Sequence, residues 1–486
     1  MALYVPKPRV DLEHWCTWTS NPYDKIGAVV GHSFRMPRPD ENAYTMAANA
    51  VLRLILQYDM DPRDVGFFAL GTESSTDNSA GAVIVRGMVD TALDALGKDR
   101  ISINCEVPEI KHACLGGIYA MKQAVRYLSC DGKDRKAIVV SSDIAEYARG
   151  SSGEQTQGAG AVAMLLEADP KMFRVDLSRS GNSSNYRGPD FRKPVHRHFM
   201  GKGNKLPERV HDFPVFNGKY STVVYTDATV RSLRDFFDRS GIGGHQRDFF
   251  DTEVEAIFFH RPYHWMPVQA MAALYVCAML ADDDPDLAEL CISNEIDFEA
   301  LRTEVNSSPP LFHNQNVADL ASTDPCPNLT NAARTVRKTP AFKAILKERM
   351  SLGSERMMDL GNLYTASLPA WLAAGFEEAQ ETGRQLDGRS ILAVGYGSGD
   401  ASEAMILQVV PESWREAADR IGFNRALEQG RNLGQAEYES LHDSGGLQDP
   451  DRFDEAGHNF RIERIGRGEE DDYDDIGLEY YSFDKS

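Results

Sequence analysis

Three residues combine a reactive side chain with a setting that could expose it. Cys114 lies in EIKHACLGGIYAMKQAVRYL, after a strand-like segment and at the predicted opening of a helix with apolar face Ile118, Met121, Val125 and Leu128. A thiol there meets the positive end of the helix dipole, which favours the nucleophilic thiolate. Gly116 and Gly117 behind it would let a bulky thioester approach the backbone closely. The same placement also suits a small core cysteine at a strand–helix junction. Glu73, in GTESSTDNSAG, sits where a strand ends and a polar turn begins. Beside a partly dry cleft its carboxylate has a raised pKa and can act as a base; on an open loop it is only solvated. His260 ends the apolar strand in AIFFHRPYHWM, at the sheet edge that carries Glu73. Its imidazole could donate to a carbonyl, shuttle a proton or serve the core. His264 and His112 read as structural or rim residues.

Two weaker signals accompany these. Asn362 in GNLYTASL could orient a carbonyl through its amide. Tyr396, Gly397 and Ser398 in GYGSGDASEAM form a tight turn able to offer backbone N–H donors to an oxyanion, although such turns often do no more than turn. GYGSG lacks the spacing of a dinucleotide or phosphate-loop fingerprint.

The elements that must carry these groups alternate in the α/β manner. Residues 65–72, 137–142, 161–167, 254–259 and 390–396 predict buried strands, and 42–58, 116–129, 265–281 and 341–350 predict helices. Several strands end in Gly, Ser, Thr, Asp or His, where an α/β sheet places its ligand groups. Residues 179–220 and 302–340 predict long loops that cover a site. Beyond about residue 412 the chain predicts a helical extension with a solvated acidic tail at Glu469, Glu470, Asp471, Asp472, Asp474 and Asp475.

At 486 residues the chain exceeds a single core, and its 42% hydrophobic and 26% charged content excludes a chain disordered throughout. The net charge, 52 minus 73 or −21, repels phosphate backbones and argues against nucleic acid. Seven cysteines without a CxxC pair or a Cys/His cluster disfavour a disulfide scaffold and a structural zinc. Most are expected reduced and buried. No apolar run approaches the roughly 20 residues of a membrane-spanning helix, and MALYVPKPRV carries no secretory pattern. A cytoplasmic protein without membrane contact is expected.

Taken in order, these segments resemble the 3-hydroxy-3-methylglutaryl-CoA synthase family of the thiolase superfamily. The matching stretches are GTES (71–74), HACLGG (112–117), SSDIAEYARG (141–150), TQGAGAVAML (156–165), FPVFNGKYS (213–221), FFHRPYHWM (258–266), GNLYTAS (361–367) and GYGSG (395–399), with EYESLH (437–442) similar to the family's C-terminal region. The resemblance implies a five-layered α/β/α/β/α fold of two similar halves, 1–170 and 171–412, a C-terminal extension over 413–486, and a homodimer. It implies Cys114 as acyl-accepting nucleophile, Glu73 as general acid/base and His260 as the residue that binds the acetoacetyl carbonyl. Asn362, Tyr147, Thr156, Asp190, Tyr396, Gly397 and Ser398 would line the substrate pocket. The implied reaction condenses acetyl-CoA with acetoacetyl-CoA on the mevalonate route, without metal or redox cofactor.

Two other functions are weighed against it: a β-branching synthase whose acceptor rides on an acyl carrier protein, and a silent scaffold subunit. A scaffold has no need to keep Cys114, Glu73 and His260 together. The chain departs from the family at Leu115 and Ile118, where an aromatic residue and a threonine are usual. It also has Trp265 where a lysine for the CoA phosphates is expected, with Arg261, Arg192 or Lys193 as possible substitutes.

Overall fold

The computed structural model describes residues 1–187, 190–193, 212–307, 324–453, 459–467 and 475–485. Its frame comes from strands that are apolar on both faces. In Val65–Gly71 every residue is buried, and alternate side chains go opposite ways. Phe68 and Leu70 pack beneath the helices Ala43–Gln57 and Gly81–Ala95, while Phe67 and Ala69 join Ile118 and Met121 in the interior.

Among the described residues this strand belongs to the first of two five-stranded sheets. The spatial order is Ala2–Tyr4, Gly158–Leu166, Lys136–Ala145, Val65–Gly71 and Glu109–Ile110. Val65–Gly71 pairs parallel with Lys136–Ala145, which pairs antiparallel with Gly158–Leu166, itself antiparallel to Ala2–Tyr4. The second sheet repeats the succession. Val254–Phe259 runs parallel to Ser390–Gly397, then Ala401–Val409 follows antiparallel, with Phe173–Val175 and Gly181–Ser184 antiparallel beyond it.

Helices fill the remaining layers. Gly116–Ser129 packs on the first sheet, and a methyl group on Gly395 of the second would meet the Leu115 side chain at 2.6 Å and Ile118 at 3.3 Å. The family departures at these two positions therefore lie in the contact between the halves. A buried ion pair, Lys122 Nζ to Glu403 Oε2 at 2.5 Å, crosses the same gap. Ser367–Thr382 packs on the second sheet's parallel pair. Gly218–Ser240 covers Gly181–Ser184 and Ala401–Val409 from outside, and Trp265–Ala281 lies against it. The result is the α/β/α/β/α order expected. Among the described residues no single helix is long and apolar enough to cross a membrane.

The predicted strands and helices match within a few residues, but several readings need correction, among them the loop 179–220, which contains the strand Gly181–Ser184. The stretch 302–340 is not a continuous loop: Pro327–Val336 is a helix that begins on a proline and buries Ala332, Ala333 and Val336. Residues 188–189, 194–211 and 308–323 of the two loop regions lie outside the described residues. The extension is not helical to its end. After the helices Ser413–Asp419, Phe423–Glu428 and Gln435–Ser444, it closes with an antiparallel hairpin, Asn459–Ile465 with Glu479–Asp484. Phe460, Tyr481 and Phe483 of that hairpin pack on the first half's outer core. Asp475 is buried rather than solvated, 2.9 Å from Arg464 and 3.0 Å from the Tyr480 hydroxyl. Glu469, Glu470, Asp471, Asp472 and Asp474 lie outside the described residues. All seven cysteines are free, but only Cys16, Cys114 and Cys291 are buried.

Candidate active site

Cys114 stands on a strained turn between the strand Glu109–Ile110 and the helix Gly116–Ser129. Ala113, just before it, has φ +41, a region costly for a residue with a Cβ. Leu115 N–H donates to the His112 carbonyl at 3.0 Å and closes the turn. The helix therefore starts two residues after the thiol. The glycines behind it do not face a ligand. A methyl group on Gly117 would lie 2.1 Å from Ser141 Oγ, and one on Gly116 2.6 Å from the Ile110 carbonyl. They seat the helix on the sheet. Gly397 plays the same part in the second half, where a methyl group would come within 2.6 Å of the His112 carbonyl.

Glu73 Oε1 accepts from the Cys114 thiol at 3.5 Å. Its backbone is fixed by Asp143, on the strand Lys136–Ala145. Asp143 Oδ1 accepts from Glu73 N–H at 2.8 Å, Ser74 N–H at 3.0 Å, Ser74 Oγ at 2.8 Å and Thr72 Oγ1 at 2.9 Å. Its other oxygen accepts from Thr365 N–H at 2.9 Å and from the Thr365 hydroxyl, tying in the turn that carries Asn362 and Tyr364. Asp143 was not singled out in the sequence. Its one signal is a lone carboxylate in the buried strand KAIVVSSDIA.

The surroundings are dry and aromatic. Tyr147 meets Phe216 edge-to-face at 5.4 Å, and Phe191 meets Tyr364 likewise at 5.9 Å, in a cluster that includes Cys114. Burial pushes the Glu73 carboxyl up to about 7, with Lys193 opposing the shift and Asp143 adding to it. Burial and then the Glu73 charge push the Cys114 thiol well above its ordinary range. The resting group is therefore a thiol hydrogen-bonded to a carboxyl, not the dipole-stabilised thiolate expected. Desolvation outweighs a helix end that begins beyond the residue. Lys193 stands inside the protein, 2.8 Å from Asp212 Oδ2 and with its ammonium 4.8 Å above the Tyr364 ring.

A cavity of about 270 Å³ is lined by Cys114, Tyr147, Thr156, His260, Asn362, Tyr396 and Ser398. Asp190 lies behind its wall, accepting from Ser221 Oγ at 2.7 Å and from the Tyr396 hydroxyl at 3.3 Å. His260 hangs from the end of Val254–Phe259, its N–H on the Val394 carbonyl at 2.7 Å and its ring stacked on Tyr396. Neither ring nitrogen has a hydrogen-bond partner among the described residues. Burial lowers its pKa to about 3, so the imidazole is neutral and offers one N–H donor and one acceptor. That suits polarising a carbonyl better than carrying a proton as imidazolium. The Asn362 carbonyl oxygen is occupied by Tyr364 N–H at 3.0 Å, and its side chain also hydrogen-bonds the Tyr147 hydroxyl at the cavity wall.

The C-terminal helix Gln435–Ser444 braces the cavity's rim. His442 Nε2 lies 2.9 Å from the Tyr147 carbonyl, and the Tyr438 hydroxyl donates to Glu154 at 2.7 Å. Trp15 Nε1 donates to the same carboxylate at 3.1 Å. His264 is structural as expected, 2.8 Å from an Arg261 nitrogen. Arg261 is buried, bonded to Ser354 Oγ at 2.9 Å and stacked on Trp371 at 4.9 Å. Arg192 pairs through its main chain with Val215. Neither Arg261 nor Lys193 is free to replace the missing lysine.

Residues 2–171 match the family model described as the N-terminal part of hydroxymethylglutaryl-coenzyme A synthase. The hydroxymethylglutaryl-CoA synthase of Haloferax volcanii is 27% identical over 419 residues, 85% of this chain and 82% of that protein. That of Ganoderma lucidum is 28% identical over 442 residues, 88% and 82% of the two chains. Among solved structures, MvaS in complex with 3-hydroxy-3-methylglutaryl coenzyme A superposes with TM-score 0.71 at 23% identity, over 99% of this chain and 97% of that one. The curacin pathway HMG synthase in complex with its holo donor-ACP gives 0.69 at 19% identity, over 100% and 98%.

Proposed function

We propose that this chain, which belongs to the hydroxymethylglutaryl-CoA synthase family of the thiolase superfamily, condenses acetyl-CoA with acetoacetyl-CoA through an acetyl-Cys114 intermediate. It would act as a cytoplasmic homodimer on the mevalonate route to isoprenoids. One observation carries the reading: a cavity lined by a thiol and by a neutral histidine without a partner among the described residues, with a carboxyl of pKa about 7 lying 3.5 Å from that thiol.

The chemistry follows from those groups. Glu73, partly ionised near neutral pH, takes the Cys114 proton as sulfur attacks the acetyl-CoA carbonyl, and CoA leaves with a proton. Lys193 offsets the negative charge that then resides on the pair. With the thioester formed, the Glu73 carboxylate removes a proton from its methyl group. The resulting enolate carbon attacks the ketone carbon of acetoacetyl-CoA. Its oxygen receives a hydrogen bond from His260 and becomes the tertiary alcohol by taking the proton Glu73 holds. Water then cleaves the enzyme thioester, giving the free carboxylate of the product and restoring Cys114. Only these side chains, the two thioesters and water take part; no metal or redox cofactor enters.

Brief incubation with acetyl-CoA followed by peptide mass spectrometry tests the first half. An acetyl increment on Cys114, followed by hydroxymethylglutaryl-CoA once acetoacetyl-CoA is added, supports the assignment. A clean protein without the increment points to a silent scaffold. The second reading, a β-ketoacyl acceptor borne by a carrier protein, draws on Trp265 standing where a phosphate-binding lysine is usual. Faster turnover of an acetoacetyl carrier protein than of acetoacetyl-CoA would favour it.

A further inference from the structure

A larger cavity, of about 610 Å³, shares no described lining residue with the reaction cavity. It meets the helix Gly116–Ser129 on its later turns, at Met121, Val125, Leu128 and Ser129, whereas Cys114 precedes that helix. Ser129 lies roughly 20 Å along the axis from the helix start. The cavity's walls come from three parts of the chain. These are the first sheet's strand ends at Lys136 and Leu166, the segment 170–175 that crosses into the second half, and Ser413 and Ala417 of the C-terminal extension. The Ser413 hydroxyl donates to the Lys171 carbonyl at 2.7 Å, and the Tyr58 hydroxyl to the Ala417 carbonyl at 2.8 Å, so the walls are tied to one another.

The lining changes character from the interior to the mouth. Met60, Met121, Met164 and Met172 are buried, with Leu128 and Ala417 beside them. Methionine side chains are unbranched and polarisable, and they adapt to an irregular apolar neighbour with little strain. The charged lining residues are half-buried or exposed. Each of the three carboxylates has a cation: Glu167 lies 3.6 Å from Lys136, Glu416 pairs with Arg420, and Asp59 is 4.0 Å from Lys98. Two cations of the crossing segment are left over. Lys171 forms no ion pair among the described residues, and Arg174 pairs there only with the exposed Asp169, at 3.5 Å. Both are exposed, and the buried Met172 lies between them in the chain.

We propose that this cavity binds a small amphipathic anion, a long unbranched chain with a carboxylate or phosphate head. The chain lies among the methionines, and the head sits at Lys171 and Arg174. An arginine fork with a lysine beside it suits either head, because both offer oxygens to charge-assisted hydrogen bonds. The volume is that of a small-molecule site rather than a flat docking face.

The test titrates the full chain with dodecanoate, dodecyl phosphate and the neutral dodecanol, each kept below the concentration at which it aggregates. Methyl-labelled methionines followed by NMR report where each one binds. Dodecanoate or dodecyl phosphate should move the signals of Met60, Met121, Met164 and Met172 and leave in place that of Met266, which lines the reaction cavity. The head that binds more tightly identifies the source, a fatty acid or a phosphorylated lipid alcohol. The exposed double variant Lys171→Glu/Arg174→Glu should weaken both anions roughly tenfold or more, the scale of losing a charge-assisted contact, and change dodecanol binding little. A second variant, Val125→Trp, narrows the cavity from its half-buried wall and should weaken all three ligands. Movement of Met266 without the other four, dodecanol bound as tightly as the anions, or unchanged anion binding in either variant would overturn the proposal. So would the absence of any binding by calorimetry.

Discussion

The two strand ends that meet at the cavity are built on opposite principles. On the first sheet, Glu73 and its loop are held by a buried carboxylate, Asp143, that accepts from Thr72, Glu73, Ser74 and Thr365. On the second, His260 reaches the cavity with both ring nitrogens unpartnered among the described residues. The first arrangement fixes a reacting pair before any substrate arrives. The second keeps hydrogen-bonding capacity in reserve, at the cost of desolvated nitrogens. Positioning and recognition are thus divided between the halves.

Breaking the first side should have the largest effect. Cys114→Ala is expected to reduce both acetylation and condensation to background, because the hydroxyls of Thr156 and Ser398 that share the cavity are far poorer acyl acceptors than a thiol. Peptide mapping after acetyl-CoA treatment checks it; condensation near the wild-type rate would refute the mechanism. Glu73→Gln should lower condensation by about 10²- to 10⁴-fold, the usual worth of a general base, while acetyl-enzyme still forms more slowly. The sign of its pH dependence follows from the raised pKa. Carboxylate grows as pH rises, so wild-type condensation should climb through about pH 7 to a plateau. The glutamine variant should lack that limb. Equal loss of both half-reactions in a folded variant would recast Glu73 as the activator of Cys114 alone.

Asp143→Asn sharpens the comparison through stability. An amide in place of the carboxylate turns one acceptor into a donor facing other donors, so a loss of about 2–3 kcal/mol is expected with slower condensation. Denaturant unfolding beside the rate assay tests it. An unchanged midpoint would mean that the loop is held by other contacts. His260→Ala should behave in the opposite way. No side-chain hydrogen bond to a described residue is lost, so a smaller stability change is expected. Use of the acetoacetyl acceptor should fall about 10²-fold, with acetyl-enzyme formation retained. Because its pKa is near 3, this histidine should add no limb to the rate profile between about pH 5 and 9. Unchanged condensation would remove it from the site.

What was legible in the sequence was local. Runs such as VGFFALGT and VEAIFF read as buried strands because their apolar character persists on both faces, and the reactive residues stand at their ends. The interactions that tune those residues are not local. Asp143 draws its donors from residues 72–74 and 365, which no spacing rule connects. The glycines after Cys114 looked like space for a ligand; only the packing of helix on sheet reveals that Ser141 and Ile110 fill that space. The thiolate expectation failed because dipole reasoning sees a helix start and cannot see an aromatic enclosure. The final hairpin had a signal in the aromatic Tyr480, Tyr481 and Phe483 of EYYSFD, but the neighbouring acidic run drew the segment towards a solvated tail.

The seam crossed by the ion pair between Lys122 and Glu403 has a consequence for how the molecule comes apart. Lys122 rides on the helix that follows the nucleophile, and Glu403 belongs to the other sheet. Were the halves to separate while each stayed folded, the ammonium and the carboxylate would exchange each other for water at little cost, whereas the apolar faces around Ile118 and Gly395 would meet water. Neither half is therefore a free-standing module, despite their repeated strand pattern. Denaturation should proceed as one cooperative event, and a chain cut near residue 170 should yield two fragments that regain structure only when mixed.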